Sequence, residues 1–329
     1  MDTRDVIRDI NYAYNMSNPI LRSYLNQYES MFSKGLSNFQ KFDKRSKGWT
    51  TASASDALCT MKTKAYIKII DGITSPIREL GLGKYFQNAP LISKTPLYRT
   101  CAIVGSSAFM KNSELGAEID LHDAVVRFNF APVKNFERDV GTKTTIRIIN
   151  NQFLEKKEFT EQLTKRKDML KDTTLVIWKT TDGIYNGNLY QWMKRSKTFI
   201  TAYSEWTSEL STNPMYVVNP VSLWRGWDVI QEFYNEPLPP HTPSSGFVGV
   251  LLMLPQCEEI DVYGYVRPNW KAHITCHYFA EKCPPQPKQA YHPVRAERHL
   301  LLKMNSGDLA EVKNKGRVTL PGFSNVTCV

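Results

Sequence analysis

The fold is decided by "CAIVGSSAFMKNSELGAEIDLHDAVVRFNFAPVKNFERDVGTKTTIRIIN", residues 101–150. "CAIV" is a short apolar run, "GSS" turns the chain, and "KNSELGAEI" carries helical spacing. "AVVRFN" and "TTIRIIN" are rich in β-branched residues and read as strands. Downstream the alternation continues. "KKEFTEQLTKRKDML" reads as a helix, "TLVIWK" as a strand, "GNLYQWMKRS" as a helix and "MYVVNP" as a strand. "LWRGWDVIQEFY" and "SSGFVGVLLML" read as helices, "EIDVYGYV" as a strand and "PVRAERHLLLKM" as a helix. Strands alternating with helices predict an α/β domain, a mostly parallel sheet flanked by helices. In such sheets ligands bind outside the carboxyl ends of the strands.

Residues 1–95 show no such alternation and no chemical signature. "MSNPILRSYLNQYESMFSKGL" allows helices there and "AYIKIIDGI" a strand. This region is expected to be variable and packed onto a core formed by residues 96–329.

The chain has 329 residues, 42% of them hydrophobic and 22% charged, which is an ordinary globular balance. No apolar run reaches the ~18–20 residues of a membrane span. The formal net charge of +10 suits an acidic partner. No long Lys/Arg block and no nucleic-acid motif accompanies it. "KRSKTF" and "KKEFTEQLTKRK" are short and read as solvated helix faces, so nucleic acid is not expected as a partner. The six cysteines show no CxxC and no Cys/His metal spacing. Their even number points to disulfides in an oxidising compartment, although spacing alone does not choose the pairing. Two Asn-x-Ser/Thr sequons, at Asn15 and Asn325, are candidate glycosylation sites.

Several residues are candidates for chemistry. Strands end at Asn129, Asn150 and Asn219, and a shared edge would gather these amides, whose donors and acceptors suit a nucleobase or ribose. Asn is also common in turns after strands. The Gly-Ser-Ser turn with Ser106 can cradle a phosphate or ribose through its backbone N–H groups. It is neither GxGxxG nor GxSxG, which argues against a dinucleotide oxidoreductase and a serine hydrolase. Ser244 and Ser245 stand at a helix start, as a cap or as an anion site. His277 lies between Cys276 and Cys283, in a hairpin or held for use. In "AYHPVRAERH", residues 290–299, Pro293 fits the first helical position and leaves His292 at the cap. The imidazole there is an exposed cap or a general base, and the helix's positive end would keep it neutral. No DxD triplet occurs.

The 101–152 stretch resembles the large sialyl motif of the animal sialyltransferases. "PSSGFVGVLLMLPQCEEIDVYGY" resembles the small motif, "HYFA" the third, and "HPVRAE" the very small motif, His-x4-Glu. All four stand in family order over residues 101–297. "NFERDVGTKTTIR" is most similar to the β-galactoside α-2,6 branch. The resemblance implies an inverting, metal-independent glycosyltransferase with a Rossmann-like variant of the GT-A fold, whose catalytic domain is 96–329. It would move sialic acid from CMP-sialic acid to a terminal galactose of a glycoprotein or glycolipid glycan. By motif position, Ser106, Asn129 and Asn150 would contact CMP, and Ser244, Ser245 and Gly246 would line the donor site. His277 would face the donor phosphate, His292 would be the base, and Gln152 and Tyr291 would lie near the acceptor. The resemblance implies the pairs Cys59–Cys328, Cys101–Cys257 and Cys276–Cys283. It implies a Golgi-lumenal chain, also secreted, whose single membrane anchor precedes residue 1. Two departures stand out: Ala280 occupies the third motif's usual acid or amide place, and His277 stands where the α-2,6 branch often has Tyr. A non-catalytic relative that binds nucleotide or glycan, and a transferase of another linkage, are the alternatives.

Overall fold

The computed structural model describes residues 52–73, 75–88, 91, 98–156, 167–179, 189–234, 238, 242–269, 276–281 and 292–328. In chain order the elements are α1 (Ala54–Lys64), β1 (Ile69–Ile70), β2 (Tyr98–Val104), α2 (Gly116–Asp120), β3 (Ala124–Phe128), α3 (Glu137–Val140), β4 (Ile146–Asn150), α4 (Gln152–Glu155) and β5 (Thr174–Trp178). They continue with α5 (Leu189–Arg195), α6 (Lys197–Glu209), β6 (Met215–Val218), α7 (Pro220–Glu232), α8 (Ser245–Met253), β7 (Cys257–Tyr263), α9 (Val294–Met304), α10 (Leu309–Lys315) and β8 (Val318–Pro321).

The eight strands form one sheet in the order β1-β6-β5-β4-β3-β2-β7-β8. Its six inner strands, β2 to β7, are parallel, and β1 and β8 cap the edges antiparallel. The expected α/β architecture is therefore present. Strand order runs outward from β2 through β3 to β6, then returns to β7 on the other side of β2. This reversal opens a crevice at the carboxyl edge beside β2, where ligands of such sheets bind.

Strands buried on both faces read as continuous apolar runs, and "TLVIW" and "MYVV" do so. Successive residues still split between the two faces. Val176 and Trp178 join the large core with α7, α8 and α9, while Leu175 and Ile177 join the core with α5 and α6. Helix α8 is buried all round from Gly246 to Met253, which fits its place in the middle of the first layer. Helix α1, opened by a Ser53–Asp56 capping box, packs into the same layer.

Some elements depart from the sequence reading. Only Ile69–Ile70 of "AYIKIIDGI" is strand, because just those two residues find partners, on β6. The helix in "KNSELGAEI" shortens to Gly116–Asp120. Residues 157–166, most of the proposed "KKEFTEQLTKRKDML" helix, lie outside the described residues. Helix α6 was not anticipated, although Phe199, Ile200, Tyr203 and Trp206 form a buried helical face. Also unanticipated were α10 and β8, the latter too short to announce itself.

Two disulfides join distant segments: Cys101–Cys257 links the neighbouring strands β2 and β7, and Cys59–Cys328 links α1 to the C-terminal segment. Cys276 is also disulfide-bonded; Cys283, Tyr291 and Asn15 lie outside the described residues. Asn325 is exposed, and its side-chain amide donates to the Glu258 carbonyl at 2.9 Å.

Candidate functional site

Parallel pairing brings the strand ends together. Asn129 follows β3 with a φ of 47°, a left-handed turn for which Asn is well suited. Its Oδ1 accepts the Asn150 N–H at 3.0 Å, and Asn150 Oδ1 in turn accepts the Gln152 N–H at 2.9 Å. Both amide oxygens thus serve the backbone, and both Nδ2 groups have no partner among the described residues. The pair presents donors to the edge, rather than the mixed donors and acceptors expected of free Asn side chains. The third amide, Asn219, caps α7 by accepting from Val221 N–H at 3.0 Å and is buried. Gln152 is exposed at the start of α4.

Beneath Asn129 lie two arginines. Arg127 and Arg147 pair in register across β3 and β4, each 1% exposed. Arg147 Nη1 donates to the Asn129 carbonyl at 2.8 Å, while its Nε is buried without a partner. Burial pulls both guanidinium pKa values down to about 10, so both stay charged at neutral pH. Burial pushes nearby Tyr278 up to about 12, against the pull of both arginines, and its hydroxyl donates to Pro132 O, just past Asn129.

Next to Tyr278, the His277 Nδ1 donates to the Ser106 carbonyl at 3.2 Å, and the exposed ring stacks on Phe279 at 5.0 Å. The Gly-Ser-Ser turn after β2 and the third motif are therefore in contact. Arg298 of α9 reaches over Phe109, just past that turn, its Cζ 5.8 Å from the ring centre.

The start of α8 faces the start of α9. Ser244 is the α8 N-cap. Its hydroxyl donates to Glu297 Oε2 at 2.6 Å, accepts from Phe247 N–H at 3.3 Å and shares a 2.7 Å bond with Tyr265 Oη. All its hydrogen-bonding positions are thus committed inside the fold. Glu297 also accepts Ser244 N–H at 2.7 Å and is 0% exposed. Burial pushes its carboxyl up to about 7, against the two Ser244 bonds and the Arg298 charge. A Cβ on Gly246 would lie 1.9 Å from Tyr265 Oη, so glycine there is what admits Tyr265.

Ser245 differs from Ser244. Its Oγ accepts the indole N–H of Trp178 at 3.1 Å, and its own proton has no partner among the described residues. Trp178 also stands edge-on to His292, ring centres 6.3 Å apart. His292 Nδ1 donates to the Thr242 carbonyl at 2.7 Å. A carbonyl only accepts, so the neutral ring carries its proton on Nδ1 and keeps a lone pair on Nε2. Burial lowers the His292 pKa, opposed by the Thr242 bond. Pro293 is the N-cap of α9 rather than its first residue, which puts His292 one position outside the helix. Burial, more than the helix's positive end, keeps this imidazole neutral.

The sequence reading missed Trp178, Tyr265, Arg127, Arg147 and Arg298. Arg127 and Arg147 carried a signal, a charge within an apolar strand. Among the described residues no group of three His, Cys, Asp or Glu could hold a metal, and no helix is long and apolar enough to cross a membrane.

The sequence model of glycosyltransferase family 29 (sialyltransferase) matches residues 51–309. The chain is 41% identical over 282 residues to beta-galactoside alpha-2,6-sialyltransferase 2 of Danio rerio, covering 84% of this chain and 53% of that protein. It is 36% identical over 326 residues to the Homo sapiens protein of the same name, covering 97% and 58%. The chain thus spans about half the length of the curated relatives it matches. A crystal structure of a mammalian sialyltransferase in complex with Gal-beta-1-3GalNAc-ortho-nitrophenol aligns with a TM-score of 0.41 at 20% identity, over 79% of this chain and 78% of that one.

Proposed function

The chain belongs to glycosyltransferase family 29, the sialyltransferases, and on that premise we propose that it transfers sialic acid from CMP-sialic acid to a terminal galactose, forming an α-2,6 linkage. The named relatives at 36–41% identity support both galactose and the linkage. The observation that carries the reading is the carboxyl-edge cluster, with two amide donors and a neutral, lone-pair-bearing imidazole beside the crevice.

In this reading the Nδ2 groups of Asn129 and Asn150 bind the cytidine and ribose, and Ser106 and Ser245 border the phosphate. Gly246, whose missing side chain admits Tyr265, lines the donor site with its backbone, and Ser244 fixes the α8 start. The acceptor lies near Gln152 and Tyr291. His292 Nε2 takes the proton of the acceptor hydroxyl as it attacks the anomeric carbon from the face opposite CMP, so configuration inverts. The C–O bond to CMP breaks as the new glycosidic bond forms. His277, held by the Ser106 carbonyl, donates a hydrogen bond to the departing phosphate, where charge grows. The buried Arg127 and Arg147 charges add a positive potential that favours an anionic donor. A monophosphate leaving group bears less charge than a diphosphate, so protein donors suffice and no metal is required. The disulfides suit an oxidising lumen, and we assign the chain to the Golgi.

CMP release from CMP-sialic acid tests this, measured with and without a desialylated glycoprotein and with EDTA. Release that requires the acceptor and ignores EDTA is expected, with the product cleaved by a sialidase that accepts α-2,6 linkages and resistant to one restricted to α-2,3. CMP binding without acceptor-dependent release would instead identify a non-catalytic relative.

A further inference from the structure

Trp178 has no part in the reaction as drawn, yet it touches three parts of the site. It is the last residue of β5, and the ladder sets it opposite Asn150 on β4. Its carbonyl accepts Asn151 N–H at 2.9 Å, which fixes the backbone directly after that strand end. Its side chain is 1% exposed. A buried indole N–H needs a partner, and this one donates to Ser245 Oγ at 3.1 Å, at the mouth of α8. That bond fixes the roll of the indole, and the ring then stands edge-on to His292, 6.3 Å away with planes at 63°. His292 is also held by the Thr242 carbonyl, at Nδ1. The imidazole thus has a backbone acceptor at Nδ1 and an aromatic wall, and the wall is tethered to the donor-side serine.

We propose that Trp178 is a positioning residue that holds the His292 imidazole and the Ser245 hydroxyl in one fixed arrangement, so that the base and the donor mouth are built as a unit. The inference rests on the reading of His292 as the base. The indole is also an apolar neighbour of the ring. Among the described residues burial and the Thr242 carbonyl account for the shift of this histidine, with no contribution from a charged side chain. Loosening the wall therefore admits water to the imidazole and moves its titration upward, toward the ordinary value.

The test uses protein labelled at histidine Cε1, in which His292 is the one of six histidine signals missing from His292→Ala. Trp178→Phe keeps an aromatic ring but removes the N–H donor. The His292 midpoint is expected to rise, and kcat to fall at least about ten-fold while the donor KM changes much less, the pattern of a misplaced catalytic group. Ser245→Ala removes the tether with little change in volume and should raise the midpoint in the same direction. Ser245→Thr restores the hydroxyl and should restore the midpoint. An unmoved midpoint in Trp178→Phe overturns the inference, and so does a kcat within about two-fold of wild type. If Trp178→Phe does not fold, an unmoved midpoint in Ser245→Ala overturns it. The midpoint is read without substrate. A wild-type protein that transfers nothing but shows the expected shifts would overturn the functional reading and leave the tether standing.

Discussion

His292 and Glu297 sit five residues apart, and burial acts on both with opposite consequences. For the imidazole, burial disfavours the cation, so the neutral base persists to lower pH than an exposed histidine would allow. Turnover should therefore hold across neutral pH and decline only below the ordinary imidazole value of 6.5. His292→Ala should keep its fold and its CMP affinity and lose at least about two decades of turnover. Circular dichroism, CMP titration and a transfer assay on the same preparation check the three parts together. For Glu297, burial disfavours the anion. A carboxyl whose folded pKa stands above its unfolded value stabilises the fold while protonated. That contribution is complete below about 4.5 and is lost as pH rises through about 7. A shift of this size corresponds to roughly 3 kcal/mol. Glu297→Gln keeps the shape of the neutral acid but cannot ionise. The stability difference between wild type and Glu297→Gln should move in favour of the variant as pH rises from 6 to about 8. Denaturant melts of both proteins at each pH measure this difference, and a difference that stays flat with pH would show that Glu297 is ionised throughout.

At the scale of elements, the starts of α8 and α9 face one another, and Tyr265 closes the space between them. Gly246 illustrates two competing effects. Helix propensity alone favours alanine over glycine by about 1 kcal/mol. The added Cβ, however, would sit 1.9 Å from Tyr265 Oη and 2.4 Å from its ring, and that ring is packed against the core. Overpacking typically costs about 1–3 kcal/mol, so the collision should win. Gly246→Ala is expected to lower the melting temperature and to weaken donor binding by disturbing the Ser244 cap. A more stable variant would mean that Tyr265 yields freely. The serine pair and the helix following it were legible in the sequence, because a serine before an apolar run is a cap signal. The division of labour between them was not legible. Ser244 is saturated and Ser245 is not, because Glu297 and Tyr265 arrive from 53 and 21 residues away and both meet Ser244.

At the scale of the whole molecule, the disulfides whose two cysteines both lie among the described residues join segments 156 and 269 residues apart. The Cys101–Cys257 bridge lies inside the sheet, between the strands that flank the crevice, and both cysteines are 0% exposed. Replacing both with serine removes the crosslink and places two hydroxyls in an apolar core. Loss of a disulfide typically costs about 2–5 kcal/mol. The doubly substituted protein should unfold at markedly lower denaturant concentration than wild type and lose donor binding in parallel, since β2 carries the Ser106 turn. Peptide mapping of secreted protein should find neither cysteine as a free thiol.

The residue order by itself determined the alternation of strands and helices, the parallel sheet, and the strand-end and helix-mouth residues that carry the motifs. These are local properties: apolar runs, β-branched content, caps and turns. The fate of each side chain was decided only in the tertiary structure. Register set Trp178 opposite Asn150, which put an indole beside His292. Burial, a property of the whole packing, kept His292 neutral and raised Glu297. The short capping strands β1 and β8 also waited on it. Two to four residues carry too little pattern to read, and they are strands only because β6 and β7 offer them partners.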